Sequence, residues 1–347
     1  MITALVADGA RRHRVTFSGV RAGDAIELVA PSLDVEFVGT ASLSVGARPG
    51  AAVYVFETGC SSLYTADVAD PIALEIRSNC LDREGALNVL VSALDENASL
   101  LAVTSTRNAE WRRPMSVSMT VWRDVTRLDV EAARAPPGTV GFLTKLAYDT
   151  AGVIIEGPST AVRLAPGQRA LLAVVYAPEF ADQLVSESSV LFGSSIESID
   201  GSSAILERSS SPPAARSFDL SVDCLPQVFR PATDPIRRRV VWTSAEQVSN
   251  ADAAIVSFDW TERGSERDSW VVITAATATS AQMPSLPEDL IPWAPGWTAR
   301  FEPGRVQIID ADWMTSYDQF RNEFRSPLQL DAIPLPDGGR LRVAKGE

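Results

Sequence analysis

Histidine, lysine and cysteine are scarce in this chain. Its 347 residues hold one histidine (His13), two lysines (Lys145 and Lys345) and three cysteines. A Ser–His or Cys–His catalytic pair would have to use His13. That residue lies in the basic string RRHR and reads as a solvated side chain. Three scattered cysteines and one histidine also exclude a zinc site of the Cys/His type. No G-x-S-x-G elbow, Walker loop or strand-borne G-x-G-x-x-G is present. No apolar run reaches about 18 residues, so no helix is expected to span a membrane. The opening stretch, MITALVADGARRHRVTF, lacks the apolar core of a secretory signal. Export by that route would require a leader ahead of residue 1.

Charge narrows the partners. The net charge is -13, a field that repels nucleic acid and anionic membranes. The one strongly basic cluster, Arg237, Arg238 and Arg239 in RPATDPIRRR, has no interleaved aromatics. It is expected to form an inter-domain salt-bridge strip, not a nucleic-acid site. Carboxylates are abundant, but pairs such as Asp310 with Asp312 or Glu262 with Glu266 lie in polar or turn-like stretches and read as solvated. No metal or cofactor is called for. Calcium is the one ion left open, through turn oxygens at Asp95, Glu96 and Asn97 and at Asp310 and Asp312. The EF-hand spacing is absent.

What the chain does have is period-two alternation. HRVTFSGV, DAIELVA, AAVYVFE, IALEIRS, SVSMTVW, RLDVEAA and FDLSVD all alternate. Gly, Pro, Asp, Asn or Ser punctuate them about every ten residues, the spacing of β-sandwiches. Turn chemistry agrees: Pro136, Pro137 and Gly138 separate two strand runs, and PDGG separates LQLDAIPL from RLRVA as a terminal hairpin. Helix signals are confined to LPEDLIPW, with Pro292 inside it, and TSYDQFRNEF. In the latter, Thr315 or Ser316 can cap a face of Tyr317, Phe320 and Phe324. The expected fold is all-β, three consecutive sandwiches over residues 1–108, 109–225 and 226–347. The boundaries fall where TSTRNAEWRRP and CLPQVFRPATDPIRRR break the alternation, and the middle sandwich carries Ser-rich loops.

Cys60 and Cys80 can form one bridge, worth roughly 3 kcal/mol by loop closure. Each follows a strand-like run, so the bridge needs the 61–70 segment to fold back or a connection that is not a simple hairpin. Cys224 reads as a small buried hydrophobe. Six of the eight tryptophans lie after residue 240. Trp260 and Trp270, on apolar faces of two strands, read as sandwich core. Trp293 and Trp297, in IPWAPGW, sit in a Pro/Gly-rich connection and mark the candidate ligand or partner surface.

Residues 240–311 resemble a fibronectin type III-like domain. VVWTS, AAIVSFDW and DSWVVITAA look like its early strands, and TSAQMPSLPEDL like its Leu-and-Pro turn. The Tyr-x-Val strand usual after that turn is missing. The whole chain is similar to secreted or lipid-anchored bacterial surface proteins built of serial Ig-like and fibronectin type III-like sandwiches. Those carry a GC…C segment ahead of LNVLVSALDENASLLAV-like strands and close on SFDW…W. The resemblance implies a non-enzymatic structural or adhesive component of a cell surface or extracellular filament. Its expected partners are copies of itself, other surface proteins or glycans. A phage virion protein and a carbohydrate-binding module are the competing expectations.

Overall fold

Alternating runs bury one face of a pleated strand, and the computed structural model uses them repeatedly. It describes residues 1–8, 11–22, 24, 26, 35–150, 153–178, 180, 182–211, 213–248, 250–262, 267–323 and 335–346. An N-terminal hairpin comprises β1 (Ile2–Asp8) and β2 (Arg11–Phe17). Then follow β3 (Phe37–Val45), β4 (Val53–Glu57), β5 (Ser62–Thr65), β6 (Ile72–Arg77), β7 (Ala86–Leu94), β8 (Leu100–Glu110) and β9 (Met115–Met119). The middle of the chain gives β10 (Thr126–Ala133), β11 (Thr139–Thr150), β12 (Val153–Arg163), β13 (Ala170–Tyr176), β14 (Gln183–Ser195), β15 (Ser198–Ser209) and β16 (Ala215–Asp219). The last part gives β17 (Ala232–Asp234), β18 (Arg239–Val241), β19 (Ala253–Thr261), β20 (Asp268–Ala275), β21 (Ser280–Gln282), β22 (Arg300–Phe301), β23 (Arg305–Ala311) and β24 (Arg340–Gly346). Among the described residues two short α-helices, α1 (Leu220–Asp223) and α2 (Tyr317–Glu323), interrupt them. The protein is all-β.

Two small sheets, β5-β4-β7-β8 and β6-β3-β9, face one another. Leu43, Leu74, Ile76 and Met115 from one meet Phe56, Leu87, Val89 and Val91 from the other in a single core. Strand β9 lies beyond the expected boundary at 108, yet it pairs in parallel with β3. TSTRNAEWRRP breaks the alternation, but the chain then returns to the same core.

The largest sheet runs β1-β2-β20-β19-β23-β24-β15-β14-β11-β12, with β22 on the side of β19. Sheet β13-β10-β16 covers part of it, with Leu128, Val130, Phe142, Tyr148 and Phe192 in the core between. Sheet β17-β18-β21 covers another part, over Val240, Trp242, Phe258, Trp260 and Trp270. The opposite face of β19 and β20 is buried too: Ile255, Ile273, Ile309 and Val343 pack with Phe320 of α2. Strands buried on both faces read as near-continuous apolar runs, which is the pattern of AAIVSFDW and WVVIT.

Three features depart from the sequence reading. Residues 2–17 join the last part of the chain, with β2 pairing in parallel with β20. The boundary at 225 does not divide a sheet, because β15 pairs with β24 from Gly201↔Gly346 to Glu207↔Arg340. The alternating run FDLSVD is not one strand. Asp219 ends β16, and its side chain accepts from Ser221 N at 3.2 Å to start α1, a local capping bond that outcompetes further ladder pairing. The helix signal at TSYDQFRNEF gives α2, with Ser316 Oγ accepting from Gln319 N. Phe324 and most of DAIELVA and LQLDAIPL lie outside the described residues. The RLRVA side of the expected terminal hairpin is β24, which pairs with β15 and β23.

Candidate functional site

IPWAPGW follows from its own residues. Three prolines at 287, 292 and 295 remove backbone donors and fix φ. Between them the chain makes a 3₁₀ turn, Glu288–Trp293, closed by Leu290 N to Pro287 O (3.0 Å) and Ala294 N to Ile291 O (2.9 Å). Three side chains then pin the loop from outside. Arg14 Nε donates to Trp293 O (2.5 Å), Arg238 Nη2 to Pro295 O (2.9 Å), and Gly296 N to Glu262 Oε1 (2.6 Å). A Cβ on Gly296 would stand 3.0 Å from that carboxylate oxygen, so the approach suits glycine.

The two tryptophans part company here. Trp293 is half-buried, with the Arg14 guanidinium 5.9 Å from its ring centre. Trp297 is 97% exposed although the backbone beside it is held at Gly296. The neighbouring turn between β17 and β18 carries Ile236, which is 92% exposed. Arg238, two residues on, is the donor to Pro295, so the two apolar tips are tied to each other.

Trp260 and Trp270 are 1% exposed and belong to one core. The hairpin that carries them pairs Phe258 with Trp270 and Trp260 with Asp268. Arg14 stands over Trp260 at 4.9 Å while its Nη1 donates to Asp268 Oδ1 at 2.9 Å. Sequence reasoning missed this arginine. Its string RRHR looks solvated, but alternation along β2 puts Arg14 and Thr16 on the face opposite Val15 and Phe17. His13 is half-buried rather than fully solvated, and its Nε2 is buried with no hydrogen-bond partner among the described residues.

A second feature, also missed, lies where β15, β16 and β24 converge. A cleft of about 300 Å³ is lined by Glu207, Arg208, Pro213, Arg216, Phe218 and Arg340, among others. Glu207 holds both Arg216 (2.7 Å) and Arg340 (2.7 Å), and Asp223 takes Arg340 (3.2 Å). Asp149 takes Arg208. Glu207, Arg208, Arg216 and Asp223 are near one another in sequence, and the β15–β24 pairing brings Arg340 to them from the end of the chain.

The other charged candidates serve local structure. Arg237 pairs with Asp234 (3.6 Å) and Arg239 donates to Ser280 Oγ (2.7 Å), so RRR forms no inter-domain strip. Asp310 pairs with Arg342, and Asp312 Oδ1 accepts from Arg340 N. Asp95 Oδ1 accepts from Asn97 N and Ser99 N, closing the β7–β8 turn. Glu262 is engaged at Gly296, while Arg263 and Glu266 lie outside the described residues. Arg267 pairs with Glu302 (2.6 Å) and with the buried Asp259 (3.3 Å). Burial, then Glu156, pushes the Glu57 carboxyl up to about 7.

Cys60 and Cys80 are joined, with Cα atoms 4.7 Å apart. The connection is the non-hairpin one: β4 belongs to one small sheet and β6 to the other. Both strands end beside each other across the core, so the bridge staples the two sheets. Cys224 is half-buried against the middle core, and burial pushes its thiol up to about 12. No family model matches this chain, and a search of curated proteins finds no significant relative.

Proposed function

We propose that this chain is a non-enzymatic structural or adhesive component of a bacterial cell surface or extracellular assembly. In this reading it has three sandwich-like bodies, of Ig-like or fibronectin type III-like kind, the second and third joined through the β15–β24 pairing. The N-terminal hairpin is added to the third body. The observation that carries the reading is Trp297. A loop pinned by three side chains presents an indole that touches almost nothing of its own chain. Exposed aromatics are enriched where partners dock. The Cys60–Cys80 bridge supports an oxidising compartment. The test is sedimentation velocity with electron microscopy of the purified chain. Concentration-dependent oligomers or filaments are expected; a monomer at every concentration removes self-assembly from the reading.

The same exposed indole favours a second reading, a glycan-binding surface, because sugar rings stack on flat aromatic faces. Binding on a glycan array that is lost on Trp297→Ala would establish it. Silence across the array removes it.

A further inference from the structure

The exposed indole and the arginine cleft lie towards opposite ends of the largest sheet along its strand direction. Trp297 is fixed at the Glu262 end of β19, through Gly296. The cleft lies at the other end, where Arg340 starts β24 beside Asp312 and opposite Glu207. From Thr261 back to Ala253, and on from its partner Ile309 to Asp312, is eleven residue steps. At about 3.3 Å per residue the two features stand roughly 35 Å apart along the strands.

The geometry points to a head-to-tail contact in which Trp297 of one copy enters the Glu207–Arg340 cleft of the next. This rests on the self-assembling reading above and names its interface. Three observations favour a second copy of the chain as the occupant. The first is charge. Every guanidinium in the cleft already has a carboxylate, Arg208 with Asp149, Arg216 with Glu207, and Arg340 with Glu207 and Asp223. A further anion would find that charge already balanced. In-plane pairing leaves guanidinium faces for an aromatic ring, since arginine stacks and forms ion pairs at once. Arg340 is the most open of the three, at 39% side-chain exposure, and the buried Phe218 borders the cleft.

The second observation is that the molecule already uses this arrangement internally. Arg14 donates in its plane to Asp268 while its guanidinium lies over Trp260. The third is shape. A cleft of about 300 Å³ is at the small end of ligand pockets, the size for one aromatic side chain. A projecting knob and a socket at opposite ends make a heterologous contact, which propagates as a filament unless the rotation closes a ring. Each copy carries a net charge of -13, so the contact strengthens as salt screens the repulsion.

The experiment uses the full chain, Trp297→Ala (no knob) and Ser217→Trp (a plug in the socket, at an exposed position on β16). Sedimentation velocity should show the wild type self-associating, more so at 0.5 M salt. Each variant should associate at least ten-fold more weakly. A mixture of the two should stop at a one-to-one dimer, because only one knob and one socket remain. Unchanged circular dichroism shows that both variants fold. If the wild type assembles and Trp297→Ala assembles equally, this interface is wrong while the assembling reading stands. If the wild type stays monomeric at every concentration and salt, both fail. A monomer that binds a glycan or a lipid vesicle through Trp297 likewise overturns the self-contact.

Discussion

The guanidinium of Arg14 lies 4.9 Å from the ring centre of Trp260. It joins the N-terminal hairpin to a core formed more than 240 residues later in the chain. Arg14 is 1% exposed and pairs with Asp268, whose side chain is 30% exposed. Removing one partner of a buried pair leaves an uncompensated charge, which costs far more than removing both. Asp268→Ala is expected to destabilise by roughly 3 kcal/mol. Asp268→Ala with Arg14→Leu should recover part of that loss. Urea denaturation of the two variants and wild type checks the order; equal losses would mean that the charge is not the issue.

The bridge between Cys60 and Cys80 closes a loop of 20 residues and ties the two small sheets. Reduction, or Cys60→Ser with Cys80→Ser, should cost about 3 kcal/mol by the chain-entropy account. The loss should appear in the transition of residues 35–122 and spare the core around Trp260. Hydrogen exchange with and without reductant separates the two regions.

Glu57 ends β4, where burial and then Glu156 raise its carboxyl to about 7. A raised folded pKa means the folded state holds the proton more tightly than the unfolded chain. That stabilisation is full below the ordinary carboxylate range and is lost as pH rises towards 7. Glu57→Gln keeps a neutral side chain there at every pH. It should match wild type near pH 4.5 and exceed it at pH 8, by on the order of 2 kcal/mol. Paired thermal melts at the two pH values decide it; an equal offset at both would remove the titration.

The strands were legible because alternation and turn residues are local signals. The inward faces of Trp260 and Trp270 followed from the same pattern. What stayed hidden depends on pairing between distant segments. Nothing in HRVTF states that β2 will lie beside β20. The buried place of Arg14 therefore has no signal in its own string. The cleft needs Glu207 and Arg340, 133 residues apart, brought into register by β15 and β24. Asp219 capping the start of α1 was hidden for the opposite reason. A capping bond two residues long defeated an alternation that fitted a strand equally well. Of the two tryptophans in IPWAPGW, composition placed both in a loop. Only the pins from Arg14, Arg238 and Glu262 separate the half-buried one from the exposed one.

Gly59 follows β4 and lies against β12. A Cβ built on it would stand 2.0 Å from Val153 Cγ1. The Val153 side chain, or the strand that carries it, must shift to admit the new methyl. Gly59→Ala is expected to cost roughly 1–3 kcal/mol, the usual price of overpacking. Gly59→Ala with Val153→Ala should restore part of it, because the clashing methyl is gone. Chemical denaturation of the single and double variants gives the coupling, and additive losses would place the strain elsewhere.

Trp297 gives the complementary expectation. A side chain that is 97% exposed contributes little to its own fold, so Trp297→Ala should change stability by less than about 0.5 kcal/mol. Trp260→Ala, at 1% exposure, should cost roughly 3–5 kcal/mol. Denaturant midpoints measured on both variants test the contrast. A large loss at Trp297 would mean that the indole packs on its own chain in solution and is not offered to a partner. A small loss, together with weakened self-association, would separate contact from folding at this residue.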